Sequence, residues 1–300
     1  MTVNLQTGLP FPRGARRSPP HILAAAMPHT IVRAVPAQFV GLAAQLDYWG
    51  NNQYGDCVSA EEAHAKAAWS QGYCGLSELF VPSQTIIDWA QKHGYLNGAD
   101  LSSVMDDMAK DGIDVNGTNY KDGGNQAVDY SNEAVLQSAI FQGPVKIAMA
   151  ANALPSGAGN NTGWYAVEAV NDHNTDHCTG LAGFGRADFL YQAMKVPLPS
   201  ALSPSQLGYI FYTWSTYGFV SHDWLMGCTD EAWVRNPTTP GQSPIPPTPP
   251  VPPTPPGPTP GPAIMSLDFS AHGYKAGEAV PGFTATVDIP PKKYNLVPVS

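Results

Sequence analysis

Two stretches of the chain carry residue types able to do covalent chemistry. The first, Asn51-Asn52-Gln53-Tyr54-Gly55-Asp56-Cys57, is a polar, Gly-containing loop that delivers a cysteine to the start of a run dense in helix formers. A helix N-terminus stabilises a thiolate through its dipole and free N–H groups. The same groups can receive an oxyanion, with a loop amide as second donor: Asn51, six residues before Cys57, is the first choice, with Asn52 and Gln53 behind it as cleft residues. The second stretch, Asp176 to Gly185, places His177 at the opening of an apolar strand that ends Gly-Phe-Gly. A base at a strand start is held rigidly and can point across a cleft. Taken singly, each has a bland reading, an ordinary buried helix cysteine and a structural or exposed histidine. Together they supply a nucleophile, Cys57, and its base, His177, which need to meet in space only.

The elements that must position them read as an α+β arrangement, a helical half followed by an antiparallel strand-rich half. Helices are expected from Cys57 to about Gln71, over Ser83 to His93 with Ile86, Ile87 and Ala90 inward, over Leu101 to Asp111, and over Asn132 to Phe141. Strands are expected over Pro144 to Met149, Cys178 to Phe184 and Tyr209 to Trp214. Residues 1–44 read as an extended N-terminal arm with at most a short strand near Thr30 to Val35, and no inhibitory propeptide is obvious in them. The main domain then spans 45–236. Residues 237–262 hold about half of the chain's 30 prolines, a polyproline II linker that at 3.1 Å per residue reaches about 80 Å. Residues 263–300 are a small C-terminal module or tail, too short for a secure core of its own.

Composition narrows the function classes. With 300 residues, 43% of them hydrophobic, the chain can bury a core. Its net charge of −9 and scattered Lys and Arg, apart from a cluster at Arg13 to Arg17, offer no face for nucleic acid. No apolar run approaches a membrane span, and no signal peptide is recognisable, so a soluble protein of unknown location, cytoplasmic or virion-associated, is expected. Cys57, Cys74, Cys178 and Cys228 form no CxxC pair and no zinc spacing, so neither a disulfide framework nor a structural metal site is indicated, a single disulfide stays open, and no cofactor or metal is expected. His173, four residues before His177, lacks a third ligand. His64 and His222 read as packing or surface residues, and Asp106, Asp107 and Asp111 as a solvated helix face.

The loop Asn51 to Cys57 with its helix, the strand Gly143-Pro144-Val145-Lys146-Ile147-Ala148-Met149 and the run His177 to Gly185 together resemble the papain superfamily of cysteine peptidases. The resemblance covers about 45 to 235 and follows the family's order of elements. With Tyr212-Thr213-Trp214, Trp224, Cys228 and Asp230 to Ala232, the loop is also similar to a divergent bacterial and phage group. It implies a papain-like fold and thiol-dependent hydrolysis of a peptide or isopeptide bond, with the oxyanion held by Asn51 and the Cys57 N–H. Two departures stand out. Tyr212-Thr213-Trp214-Ser215 replaces the family's Asn-Ser-Trp-Gly, leaving Thr213 to orient His177 and Trp214 to shield it; and Asn51 stands where the family has Gln. The rival expectation is a non-catalytic structural or attachment protein, such as a phage virion component, whose linker and tail engage an assembly partner.

Overall fold

The structure is a computed structural model that describes residues 11–31 and 34–235, which form one unit. The proline-rich linker and the C-terminal module expected beyond residue 236 lie outside the described residues. In chain order the elements are β1 (Ala15–Arg16), α1 (Pro20–Ala25), β2 (Phe39–Val40), α2 (Cys57–Ala68), α3 (Ser83–His93), β3 (Ala99–Asp100), α4 (Leu101–Lys110), β4 (Ile113–Val115), β5 (Thr118–Tyr120), β6 (Gln126–Ala127), α5 (Glu133–Gln142), β7 (Val145–Met149), β8 (Trp164–Ala166), β9 (His177–Arg186), α6 (Ala187–Met194), β10 (Leu207–Thr213), β11 (Thr216–Val220), α7 (His222–Met226) and β12 (Thr229–Val234). This is the α+β order expected, helices first and a strand-rich half after them.

Eight strands form the main sheet in the order β6-β12-β7-β9-β10-β11-β8, with β2 also pairing with β9. All its pairings are antiparallel except β11 with β8. The central strand β9 therefore carries His177 at its start, opposite Met149 of β7. Its neighbour β10 runs to Thr213 and returns as β11 through the two-residue turn Trp214-Ser215, with Thr213 opposite Thr216. Trp214 takes φ +46°, a left-handed conformation costly for a bulky residue.

Helix α2 is buried along its whole length. Alanines at 60, 63, 65, 67 and 68 let neighbours close in on every side, and the helix continues beyond Ala68 as a wider turn over Trp69–Tyr73. Its charged residues are buried too. Arg235 donates to Glu61 Oε2 at 2.6 Å and to Glu62 Oε2 at 3.0 Å, while Lys146 of β7 pairs with both glutamates and donates to the Val58 carbonyl at 2.9 Å. Lys66 pairs with Asp122, which lies 3.4 Å from Arg235 Nε. Three acids thus meet three bases out of water. Burial favours a neutral carboxyl on Glu62, but the adjoining Arg235 and Lys146 outweigh it and hold this group below the ordinary carboxylate range.

Two local expectations are corrected. In α3 the inward positions are Ile86, Trp89 and Ala90, with Ile87 only half-buried, because a 3.6-residue period carries the core stripe to 89 rather than 87. The N-terminal arm contains the helix α1, and its described residues over Thr30 to Val35 form no strand; β1 pairs in parallel with β3 instead, and Ala15, Ser18 and His29 are buried.

Lys146→Met should destabilise the protein by about 3–5 kcal/mol, because it leaves two buried carboxylates short of a partner. Denaturant unfolding of the full chain checks this; a loss below about 1 kcal/mol would show that the cluster does not hold α2 in place.

Candidate active site

Cys57 is the first residue of α2, as its sequence context demands, and it is 2% exposed. The loop before it is a series of tight turns: Asn51 N–H donates to the Tyr48 carbonyl, and Gln53 and Tyr54 N–H donate to that of Gly50. Gly50 adopts φ +97°, and a Cβ there would sit 2.4 Å from Asp56 Oδ2, so only glycine fits. The Trp49 indole donates to the Val81 carbonyl at 2.8 Å and anchors the loop in the core.

His177, 1% exposed, opens β9. Its Nε2 is hydrogen-bonded to Thr213 Oγ1 at 2.8 Å, and its ring stacks on Trp214 with centroids 4.5 Å apart. Nδ1 is buried with no hydrogen-bond partner. Next in sequence, the Cys178 backbone reaches the Cys57 sulfur, so the starts of α2 and β9 adjoin. The structure thus brings His177, Thr213 and Trp214 into one cluster, which adjoins Cys57 through the backbone of the next residue, Cys178, and not through a hydrogen bond from either ring nitrogen of His177. Asn51 is also at this place, buried, with its amide donating to the carbonyls of Tyr54 at 3.1 Å and Pro12 at 3.3 Å. Asn52 is half-buried and Gln53 exposed on the outer side of the loop.

The histidines read as bystanders stand apart. His64 is buried, stacked on Tyr212 at 3.8 Å and bonded to the Tyr217 hydroxyl; His173 is exposed and bonded to Asp230; His222 is bonded to the Tyr209 hydroxyl. All four cysteines are free.

Sequence reasoning missed the N-terminal arm as part of this site. Residues Phe11 to Ser18 run past the start of α2, and within them Gly14 and Ala15 lie against Cys57. Ala15 N–H donates to the Asp176 carbonyl at 3.1 Å, the Gly14 carbonyl accepts from Ala99 N–H at 2.9 Å, and backbone groups of Gly14 and Ala15 adjoin the sulfur. Phe11 packs on Tyr48 and Trp214, and Arg13 donates to Asp176 Oδ2 at 2.7 Å and Asn152 Oδ1 at 2.9 Å. Downstream, Ser18 donates twice to Glu231. The passage depends on absent side chains: a Cβ on Gly14 would lie 1.8 Å from the Gly55 carbonyl oxygen and 2.8 Å from Gly98 Cα. Glycines at 14, 55 and 98, widely separated in the chain, were the one signal available, and they mean nothing until the backbones are seen together.

Burial decides the electrostatics. Burial pushes the Cys57 thiol up to about 11, with the Cys178, Gly14 and Ala15 backbone groups only partly offsetting it and Asp56 adding to it. Burial, and secondarily the Arg13 guanidinium, pushes the His177 imidazole down to about 3. In this closed arrangement the pair is therefore a neutral thiol and a neutral imidazole. Burial also pushes the Asp56 carboxyl up to about 8, the nearby backbone N–H and Asn51 amide softening this only in part.

No protein-family model matches the chain, and no curated protein does. Solved structures do. Procathepsin L2 from the larval midgut of Tenebrio molitor is similar over 74% of this chain and 76% of its own, with a TM-score of 0.52 and 16% identity. Procathepsin L3 of the same source is similar over 70% and 73%, at a TM-score of 0.51 and 15% identity. Xylellain, a cysteine protease from Xylella fastidiosa, is similar over 77% of this chain and 97% of its own, at a TM-score of 0.51 and 14% identity. With a cysteine at the head of a buried helix and a histidine at the head of the central strand, the chain has the fold of the papain-like cysteine proteases.

Proposed function

We propose that the protein is a thiol-dependent hydrolase of peptide or isopeptide bonds, held closed by its own N-terminal arm. The observations that support this are Cys57 at a helix N-terminus, adjoining the start of β9 through the Cys178 backbone, and His177, the preceding residue of that strand, whose Nε2 is engaged by Thr213 and whose Nδ1 has no hydrogen-bond partner. Once the arm leaves, water reaches the site, the desolvation that disfavours both charged forms falls, and the thiol proton can pass to His177 Nδ1. The Cys57 thiolate then attacks the carbonyl carbon. The oxyanion is received by the Cys57 N–H, which a helix start leaves without an intrahelical acceptor, and by the Asn51 amide, which the arm now occupies with the Pro12 carbonyl. His177 returns the proton to the leaving amine, and water hydrolyses the acyl-enzyme by the same route.

Thr213 does this work differently from an asparagine. An amide oxygen only accepts, and so forces Nε2–H and a bare Nδ1; a hydroxyl can accept or donate, and so orients the ring while imposing the tautomer less firmly. The second reading, a papain-like protein without turnover, rests on this and on the neutral thiol and imidazole of the closed form. Peptide hydrolysis separates the two. Cys57→Ala and His177→Ala should reduce turnover to background, Thr213→Ala should lower kcat/KM roughly tenfold, as expected for one hydrogen bond of about 1–1.5 kcal/mol, and Thr213→Ser should retain it. Wild-type protein that turns over nothing with the arm displaced favours the second reading; turnover that survives Cys57→Ala overturns the mechanism.

Displacing the arm is itself testable, since Gly14→Leu places a side chain where the Gly55 carbonyl already is. Each ~1.4 kcal/mol of docking lost raises the open population about tenfold, so alkylation of Cys57 by iodoacetamide at neutral pH should accelerate by at least that factor. An unchanged rate would mean that the arm does not limit access.

Asp56 yields a pH prediction. Its folded value, about 8, lies above the ordinary 3.8, so the folded state keeps a proton that the unfolded state releases, and stability falls as pH rises from about 4 to 8. Asp56→Asn removes that loss. The variant's melting temperature should exceed the wild type's by more at pH 8 than at pH 4; an equal difference at both would show that Asp56 titrates normally.

A further inference from the structure

The acidic face of α4 that reads as merely solvated meets a histidine in space. Asp107 and Asp111 lie one turn apart at the C-terminal end of this helix, and His93 is the last residue of α3. One ligand atom from each of the three lies within 4.8 Å of the others. The His93 side chain is only 9% exposed, clamped against Trp89 with ring centroids 4.3 Å apart and against Tyr95 at 5.9 Å. Its Nδ1 lies 3.0 Å from Asp107 Oδ2, which also accepts from the Tyr95 hydroxyl at 2.6 Å. Its Nε2 is buried, has no hydrogen-bond partner, and lies 3.9 Å from Asp111 Oδ2.

We propose that His93 Nε2 and the Asp111 carboxylate bind one divalent transition-metal ion, with Asp107 holding His93 in the ligating tautomer. Donating Nδ1–H to Asp107 leaves the lone pair on Nε2, and a carboxylate behind a histidine both fixes the ring and raises its basicity towards a metal. Two tetrahedral ligands at about 2.0–2.2 Å from an ion sit roughly 3.4 Å apart. The observed 3.9 Å is half an ångström wider, and Asp111, 38% exposed, can close that gap. A nitrogen and carboxylate donor set suits zinc, nickel or cobalt rather than calcium or magnesium. The C-terminal ends of two helices, each negative, converge on the same place. Their backbone carbonyls are not the ligands, since Lys110 O already accepts from Lys121 and Asp111 O from Asn119; the ion rests on side chains, with water completing its shell.

The test is calorimetric titration of the full chain with Ni²⁺ under reducing conditions, repeated on Cys57→Ala to exclude thiol binding. Wild type and Cys57→Ala should each bind one equivalent. Asp111→Asn, at an exposed position that leaves the fold intact, should abolish binding, as should His93→Gln. Asp107→Asn should weaken it roughly 10- to 100-fold, the usual cost of losing a partner behind a ligating histidine. Absence of saturable binding in the wild type, loss of it in Cys57→Ala, or unchanged affinity in Asp111→Asn would each overturn the proposal; should His93→Gln fail to fold, Asp111→Asn decides.

Discussion

The position of Cys57 depends on a cluster of charges that never meets solvent. Glu61 and Glu62 leave α2 on the side facing the sheet, where Lys146 from β7 and Arg235 just past β12 take them up, and Lys66 with Asp122 completes the balance. Charges taken out of water cost far more than surface pairs return, so such a cluster forms only where geometry satisfies both signs, and it tolerates few alternatives. Lys146 also donates to the Val58 carbonyl in the first turn of α2, one residue from Cys57. The ionic cluster therefore ties the rotation and height of the helix to the same sheet that carries His177. Because β7 and β12 flank one another and β7 pairs with β9, the fix runs from the charges to His177 through two strand pairings.

On this rigid base, access is set by a backbone that lies against other backbone. Three glycines allow the arm to approach the loop before Cys57 and the strand β3 so closely that any side chain would collide. Cys57 and His177 are buried beneath it, and that burial favours the neutral thiol and imidazole. The main-chain groups that bind the arm are the Asp176 carbonyl and the Ala99 N–H, the kind of pairing by which one extended segment adds to another. Arg13 adds to the effect by bringing a positive charge to His177 while pairing with Asp176.

The support of His177 shows how one site can be met by different chemistry. A threonine on the last position of β10 reaches Nε2, and the turn that follows forces Trp214 into a left-handed conformation that lays its indole over the ring. Backbone strain here is matched to a stacking contact on a buried imidazole, the kind of place where strain is retained.

What was legible in the residues alone follows from local physics. A helix-forming run after a polar loop marks Cys57 as a helix start, an apolar run marks β9, and caps and periodicity mark α3 and α4, since these depend on neighbours three or four places along the chain. That the starts of α2 and β9 adjoin could be expected because the two segments carry a recognisable pattern. What only tertiary structure decided lies between segments distant in sequence: the arm over the thiol, the convergence of Glu61, Glu62, Lys146 and Arg235, and the meeting of His93 with Asp111. Nothing in the spacing of Gly14, Gly55 and Gly98, or of a lysine and two glutamates more than eighty residues away, encodes contact. Proximity there is created by the burial of a whole helix, and the protonation of every group in the site follows from that burial.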